Sequence, residues 1–465
     1  MSELQLIENL HIHDIADDGM AVGRHENQVI FVKHAVPGDV IDVNVFKKKK
    51  KYAHASIVKV VTPSVHRTDP FCTHFGTCGG CKWQYLDYPT QLFYKQKMVV
   101  DALQHIGGLS GFETNNIVAS ANTKHYRNKL EFTFSNKRWL TVSEMGNTDL
   151  LMHNALGFHV PGKFDKVLDI NECFLQDDKS NQIRLFVKDF CLTNNFSFFD
   201  IRQQTGLMRN LVIRNTTNGE WMVVVVFFEN DAEKINLLMN AIRTQFNFIT
   251  SLQYIINPKK NDSYSDLTPV LFSGLPHITE VMENLKFQIS AKAFFQTNPV
   301  QAHALYNAVL KFADLQSHHI VYDLYTGTGT IANYMAPHCK HVVGIEYVEE
   351  AVKDAQVNSA INNLSNTVFY AGDMRKILTE EIVQQHGTPD VIITDPPRGG
   401  MDAAVVAQLL KINAQRIVYV SCNAATQARD IALMSNHYTL QSIQPFDMFP
   451  HTHHVENIAL LIRKN

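Results

Sequence analysis

The sequence predicts a multidomain chain with a small all-β barrel, a central α+β domain and a doubly wound, mostly parallel α/β domain. Three observations predict it. Five short strand-like runs separated by turns fill residues 1–62, strand-rich segments with two helical interruptions fill 116–290, and strands alternate regularly with helices from 291 onward.

The barrel rests on the runs Leu4 to Ile7, Gly19 to Arg24, Gln28 to Val32, Asp39 to Phe46 and Ala53 to Val60, with Pro37-Gly38-Asp39 as a turn. Five strands at this spacing suggest an oligonucleotide-binding type of barrel that closes at Pro63. Lys47 to Lys51 follow the fourth run. A formal net charge of −3 is not that of a generally basic nucleic-acid binder, so any such contact is local and this lysine run is its candidate.

Seven cysteines in a long chain whose acidic, alternating start is unlike a secretory signal argue against a disulfide framework. Cys72, Cys78 and Cys81 lie close together among Gly76, Gly79 and Gly80, which permit tight wrapping around a metal or cluster. Zinc and a [4Fe-4S] cluster both suit thiolates, and either needs a fourth. Cys173 is the candidate, because Cys191 sits in an apolar helical pattern. A helix is expected over Pro89 to Ile106, ending at Gly107-Gly108. Strands are expected at Leu130 to Phe134, Gly157 to Val160, Gly206 to Ile213 and Glu220 to Phe228, and helices at Lys179 to Leu192 and Asp231 to Phe246. The longest apolar run, Met222 to Phe228, is far short of a membrane span, so a cytoplasmic protein with no membrane contact is expected.

Beyond 291, Asn298-Pro299 opens a helix, and strands follow at His319 to Leu324, His341 to Glu346, Thr367 to Ala371, Val391 to Thr394 and Arg416 to Ser421. Most of these are continuous apolar runs, as parallel strands covered on both faces require. Tyr438 to Met448 and Val455 to Arg463 suggest a closing antiparallel pair with a brief connection.

The chemistry-bearing residues fall at the carboxyl ends of these strands. Asp323 to Thr330 form a loop with Gly327 and Gly329, where a cofactor can approach the backbone. Glu346 is placed to accept hydrogen bonds from ribose hydroxyls, Asp373 to bond an adenine amino group, and Asp395 is stiffened by Pro396-Pro397. These features suit a nucleoside cofactor, nicotinamide included, without choosing the reaction. Cys422 closes the fifth strand at the same edge, where a thiolate can reach both a cofactor methyl and a substrate; addition to uracil carbon 6 would activate carbon 5. Glu456, beside His451, His453 and His454, is the candidate base for the proton that must then leave carbon 5. No further ligand spacing supports a metal at those histidines.

Together these residues resemble the bacterial RNA uracil-5-methyltransferase family, especially 23S ribosomal RNA members with a TRAM domain and an iron–sulfur cluster. The resemblance covers essentially the whole chain. It implies a TRAM barrel at 1–62, a central domain at 63–83 and 116–290 carrying a [4Fe-4S] cluster on Cys72, Cys78, Cys81 and Cys173, and a class I (Rossmann-like) methyltransferase domain at 84–115 and 291–465. Tyr126-Arg127-Asn128-Lys129 and Phe295-Gln296-Thr297-Asn298 match family motifs. By that match Gln296, Tyr325, Thr330, Glu346, Asp373 and Asp395 line an S-adenosylmethionine site, Cys422 is the nucleophile and Glu456 the base. Thr326 departs from a frequent Cys, and Ala424 from the usual Pro after Ser421-Cys422-Asn423. The implied substrate is RNA, ribosomal before transfer RNA, acted on by a monomer; the contrasting expectation is a non-catalytic RNA-binding assembly protein.

Overall fold

In the computed structural model, residues 5–141, 144–145 and 153–464 are described. Leu4, the start of the first expected strand, lies outside them. Strands β1 (Gln5–Ile15), β2 (Ala21–His25), β3 (Gln28–Val32), β4 (Val40–Lys48) and β5 (Tyr52–Thr62) close a barrel in the order β1-β2-β3-β5-β4. Alternation along each strand turns Ile12, Ile30, Val32, Ile41, Val43 and Ala53 inward to make a core of the barrel's own. Asp39 explains where the barrel ends. Its buried carboxylate accepts the Val36 N–H at 2.7 Å, the Ser64 N–H at 2.9 Å and the Arg67 Nε–H at 3.1 Å, which pins the chain as it leaves β5.

Helix α1 (Tyr88–Asp101) starts where Asp87 accepts the Thr90 N–H at 2.8 Å and Pro89 occupies the first turn. The expected single helix to Ile106 instead finishes as a wider π turn over Ala102–Ile106, closed by the Gly107 N–H on the Ala102 carbonyl. A Cβ at Gly107 would stand 2.7 Å from the Leu103 carbonyl and 3.1 Å from that of Ala428, so glycine lets this end press onto the catalytic domain. After it β6 (Glu113–Thr114) joins that domain's sheet.

The central sheet contains β7 (Lys129–Ser135), β8 (Arg138–Trp139), β9 (Ala155–His159), β10 (Val167–Asp169), β11 (Met208–Asn215), β12 (Trp221–Phe227), β13 (Ile249–Ile256) and β14 (Val270–Gly274). Their order is β14-β13-β12-β11-β7-β9-β10-β8. Helices α2 (Asp178–Thr193) and α3 (Ala232–Gln245) cover one face. The other face shares one core with the hairpin β15 (His277–Met282) and β16 (Leu285–Ser290) and with the catalytic domain.

In that domain α4 (Pro299–Ala313) leads into β17 (Ile320–Leu324), α5 (Thr330–Met335), β18 (His341–Glu346), α6 (Glu349–Ile361) and β19 (Thr367–Ala371). There follow α7 (Met374–Ile377), α8 (Glu380–His386), β20 (Val391–Thr394), α9 (Ala403–Ile412), β21 (Arg416–Ser421), α10 (Ala424–Met434), β22 (Tyr438–Phe446) and β23 (Glu456–Arg463). The order β19-β18-β17-β20-β21-β23-β22-β6 is parallel from β19 to β21, with β23 antiparallel to both neighbours. This is the predicted multidomain class, with the carboxyl ends of β17 to β21 at one edge. The connection of the last two strands differs from the expected brief one. It is a loop over 447–455, tied to α1 by the fully buried ion pair of Asp447 with Lys95 at 2.5 Å.

Candidate functional site

The first compartment lies over the ends of β17 and β18. Tyr325, Gly327 and Gly329 adopt left-handed backbone with φ of 63°, 55° and 73°. A Cβ on Gly329 would sit 2.7 Å from that of Ala355, so this glycine serves helix packing, whereas a Cβ on Gly327 would meet nothing within 4 Å and faces open space. Glu346 braces the loop by accepting the Gly327 N–H at 3.0 Å and the Val348 N–H at 2.9 Å. The adjoining cavity, about 40 Å³, is lined by Gln296, Tyr306, Tyr325, Thr330, Asp323 and Asp395 among others. Gln296 is set by the Tyr126–Lys129 segment: Asn128 Nδ2 donates to the Gln296 carbonyl at 3.1 Å and its N–H to the Thr297 carbonyl at 2.8 Å.

Four of the six expected cofactor residues thus line one cavity, and Glu346 adjoins it through Gly327. Asp373 does not line it. It caps α7 through the Arg375 N–H at 3.0 Å and pairs with the Arg375 guanidinium at 2.7 Å, which holds its carboxyl down at about 2. Asp323 and Asp395 are each pushed up to about 7, chiefly by burial, and the charge of Asp395 adds to the shift of Asp323. Thr326, at the position of a frequent family Cys, donates its hydroxyl to Asp323. Asp323 was read only as the start of the glycine loop and given no role of its own, and Tyr306 was missed because it reads as part of a helix's apolar face.

Cys422 stands at the end of β21, half-buried. Burial pushes its thiol up to about 11, with Glu456 and Asp395 adding to the shift and Arg398 opposing it. Glu456 opens β23, only 7% exposed, and burial followed by the Asp395 charge raises its carboxyl well above the ordinary range. The fold therefore brings Cys422, Asp395 and Glu456 into one electrostatic neighbourhood. Asn423 fixes the backbone after the cysteine: its Oδ1 accepts the Ala425 N–H at 3.0 Å, and its Nδ2 donates to the Arg398 carbonyl at 3.0 Å. This cap starts α10 without the proline that Ala424 replaces.

Cys422 also lines a second, open cleft of about 520 Å³, whose walls include Asp14 and Val22 of the barrel, Lys97 of α1, Arg398, His453 and His454. The histidine loop is clamped against it. The Lys82 and Trp83 N–H groups donate to the His451 carbonyl at 2.8 and 3.0 Å, the His451 N–H donates to Gln91 Oε1 at 2.9 Å, and Lys95 Nζ donates to the Phe449 carbonyl at 3.0 Å. His451 holds φ of 64° under these restraints.

A separate cavity of about 170 Å³ is lined by Cys72, Cys78, Cys81 and Cys173, with Phe71 and Arg127. Burial pushes Cys78 up to about 12, and the other three thiols add to the shift. Among the described residues no three potential ligands close on a point that would hold a single metal ion. The four thiols surround a space instead.

The family model described as tRNA (Uracil-5-)-methyltransferase matches residues 280–464, and that of the TRAM domain matches 6–58. An uncharacterized RNA methyltransferase of Porphyromonas gingivalis is 51% identical over 462 residues, covering 98% of this chain and 99% of its own. One of Bacteroides thetaiotaomicron is 51% identical over 451 residues, covering 96% and 99%. The crystal structure of Pyrococcus abyssi tRNA (uracil-54, C5)-methyltransferase in complex with S-adenosyl-L-homocysteine superimposes with a TM-score of 0.77 at 29% identity, covering 98% of this chain and 100% of that one. No helix among the described residues is long and apolar enough to cross a membrane.

Proposed function

The chain belongs to the RNA uracil-5-methyltransferase family, whose members are S-adenosylmethionine-dependent, and on that premise we propose that it methylates carbon 5 of a uridine in 23S ribosomal RNA through Cys422 and Glu456. The observation that carries the reading is the place of Cys422, on the wall of the open cleft and beside Asp395, which lines the compartment at the glycine loop.

The residues fit S-adenosylmethionine. Gly327 leaves room at the loop, Glu346 is oriented by two backbone N–H groups with lone pairs to spare for ribose hydroxyls, and Gln296, Tyr325, Thr330 and Asp395 surround the cavity. Asp373 serves as an adenine partner only through acceptor capacity left over by Arg375. When bound, S-adenosylmethionine supplies an electrophilic methyl group on a sulfonium. The uridine, turned out of its stack, enters the cleft. Cys422, once it has lost its proton to solvent, bonds through sulfur to carbon 6, and the enolate so formed makes carbon 5 nucleophilic enough to accept the methyl as its bond to the sulfonium breaks. Glu456 then takes the carbon-5 proton, carbon 5 and carbon 6 regain their double bond, and the sulfur–carbon bond breaks to restore the Cys422 thiolate. A carboxylate with a raised proton affinity is suited to that removal.

Cys72, Cys78, Cys81 and Cys173 suit a [4Fe-4S] cluster, since four thiols line one cavity of about 170 Å³. Its part is to hold Phe71, Lys82 and Trp83, which flank the cysteines, against the His451 loop. Transfer RNA is the second reading, favoured by the name of the Pyrococcus abyssi enzyme.

Glu456→Gln tests the mechanism. This variant should accumulate a denaturation-resistant adduct with methylated RNA, seen by gel and intact mass, and wild type should do the same with 5-fluorouridine at the target. If neither traps an adduct while both bind RNA and S-adenosylmethionine, the covalent reading is wrong and the chain is better explained as an RNA-binding assembly protein. Mapping 5-methyluridine in ribosomal and transfer RNA of a deletion strain decides the substrate.

A further inference from the structure

Cys422 and Glu456 face each other just past the end of a strand pair. β21 and β23 run antiparallel, and their last pairs are Val420 with Ile458 and Ser421 with Asn457. The same register carried one step further sets Cys422 opposite Glu456. In an intact ladder, residues so placed have Cβ atoms roughly 4.5–5.5 Å apart on one face of the sheet. Here the pairing has already stopped, and Glu456 is paired only on its other side, with Phe446 of β22.

The reaction needs that separation kept. Sulfur bonded on one face of the uracil ring leaves the other face for the methyl, and the carbon-5 proton is then turned toward the sulfur's side. The base must therefore stand beside the nucleophile, and a misplacement of about 1 Å can cost about 100-fold in rate.

One side chain spans the open end. Gln427 of α10, fully buried, donates through Nε2 to the Tyr419 carbonyl of β21 at 2.8 Å and to the Asn457 carbonyl of β23 at 3.3 Å. Its Oε1 accepts from Asn457 Nδ2 at 2.8 Å. Both strands and the helix that follows Cys422 thus meet in one amide. Asn457 is also buried, and its Oδ1 has no hydrogen-bond partner among the described residues. An unpaired buried oxygen costs stability that two apolar side chains of the same size would not, so stability alone does not account for this pair.

We propose that Gln427 and Asn457 are positioning residues for proton removal: their joined amides hold the start of β23 against the end of β21 and so keep Glu456 beside Cys422 while the uridine is attached. The inference rests on the reading of Glu456 and Cys422 as base and nucleophile. Cys422 has anchors of its own, since the Ser421 hydroxyl donates to the Asn423 carbonyl at 3.1 Å and Asn423 Nδ2 to the Arg398 carbonyl at 3.0 Å. Loss of the tie therefore acts on the Glu456 step and leaves addition of sulfur to carbon 6 intact.

The test follows the methyl group. Total RNA from a deletion strain and S-adenosylmethionine tritiated in its methyl are mixed with enzyme and quenched in denaturant, and label is counted in the protein band and in free RNA. Wild type should pass its label quickly to free RNA, and Glu456→Gln should keep it in the protein band. In Gln427→Leu the band should form at the wild-type rate and decay at least about 10-fold more slowly. Gln427→Leu/Asn457→Val strands no polar group, so it should melt nearer wild type than the single variant and still decay as slowly; it also decides the matter if the single variant does not fold. Decay at the wild-type rate in either folded variant, or band formation slowed as much as decay, would overturn the proposal. The 5-fluorouridine adduct separates it from the parent reading. Wild type that forms no such adduct refutes the covalent mechanism and this inference with it, whereas adduct formation with wild-type decay in the variants refutes the inference alone.

Discussion

Iodoacetamide at pH 8 should alkylate Cys422 about tenfold more slowly than an ordinary thiol. The thiol sits at about 11 where an ordinary one sits at 9.0, which leaves about 100-fold less thiolate at a given pH. A more basic thiolate is intrinsically more reactive, by about 8-fold over two units, and the two effects together give the tenfold deficit. The rate should climb with pH until about 11. Glu456→Gln removes the larger of the two like-charge contributions but not the still larger contribution of burial. Loss of that like charge lowers the thiol and should raise the rate at pH 8, because thiolate is gained faster than its intrinsic reactivity falls. Peptide mass spectrometry after timed quenching separates Cys422 from the other cysteines. Alkylation of wild type as fast as a free thiol, or slower alkylation in Glu456→Gln, would refute the claim that these acids and burial hold the sulfur protonated at rest. If the claim stands, bringing RNA into the cleft must supply the activation.

His451, 8% exposed, is held down at about 4 by burial while the unfolded chain binds its proton near 6.5. The unfolded state thus gains a proton first, so this contribution to stability is complete above pH 6.5 and is lost as pH falls from 6.5 to 4; the difference is about 3 kcal/mol, and His451→Asn, a residue that tolerates positive φ, should lessen the acid-induced fall in urea midpoint. An unchanged fall would clear His451 of that role. Lys95→Met should cost about 3–5 kcal/mol in urea unfolding by stranding the buried Asp447, and Lys95→Met/Asp447→Asn should recover part of it; a double variant as unstable as the single one would show that the pair's charge is not what matters. Anaerobically purified protein should be brown with iron and sulfide near about four each per chain, and Cys72→Ser should lose both; a colourless protein with stoichiometric zinc would replace the cluster assignment.

The parallel strands were legible because burial on both faces makes them nearly continuous apolar runs, and their ends brought Glu346, Asp395 and Cys422 to one edge without any side-chain information. The short spacing of Cys72, Cys78 and Cys81 was legible for the same local reason. Strands β13 to β16 were harder to see, because their mixed patterns make sense only against the sheet and core they join. The clamp on the 447–455 loop could not be read at all, since Lys95 and Asp447 lie 352 residues apart and each looks like an ordinary surface charge. Asp373 illustrates the reverse. Its strand-end position was plain, but its commitment to Arg375 depends on a turn only two residues long.

The core that joins the central and catalytic sheets constrains how this enzyme can be divided or rebuilt. Val212, Val224 and Ile255 of the central sheet, Ile278 and Phe287 of the hairpin, and Leu305, Val321 and Val418 of the catalytic domain belong to one continuous apolar body. A cut between 257 and 299 would leave two fragments, each presenting a wet greasy face and neither able to refold alone. The two sheets should therefore melt in a single transition. The barrel encloses its own core, and it meets the remainder through a small apolar cluster of Ile15 and Val36 with Trp83, Leu86 and Tyr94 and through polar ties such as the Lys97–Asp14 pair at 3.1 Å and the Trp83 indole N–H on the Gly19 carbonyl at 3.0 Å. Any other barrel grafted at Pro63 therefore has to supply apolar partners for Trp83, Leu86 and Tyr94, a far smaller seam than the one that swapping the central sheet would open.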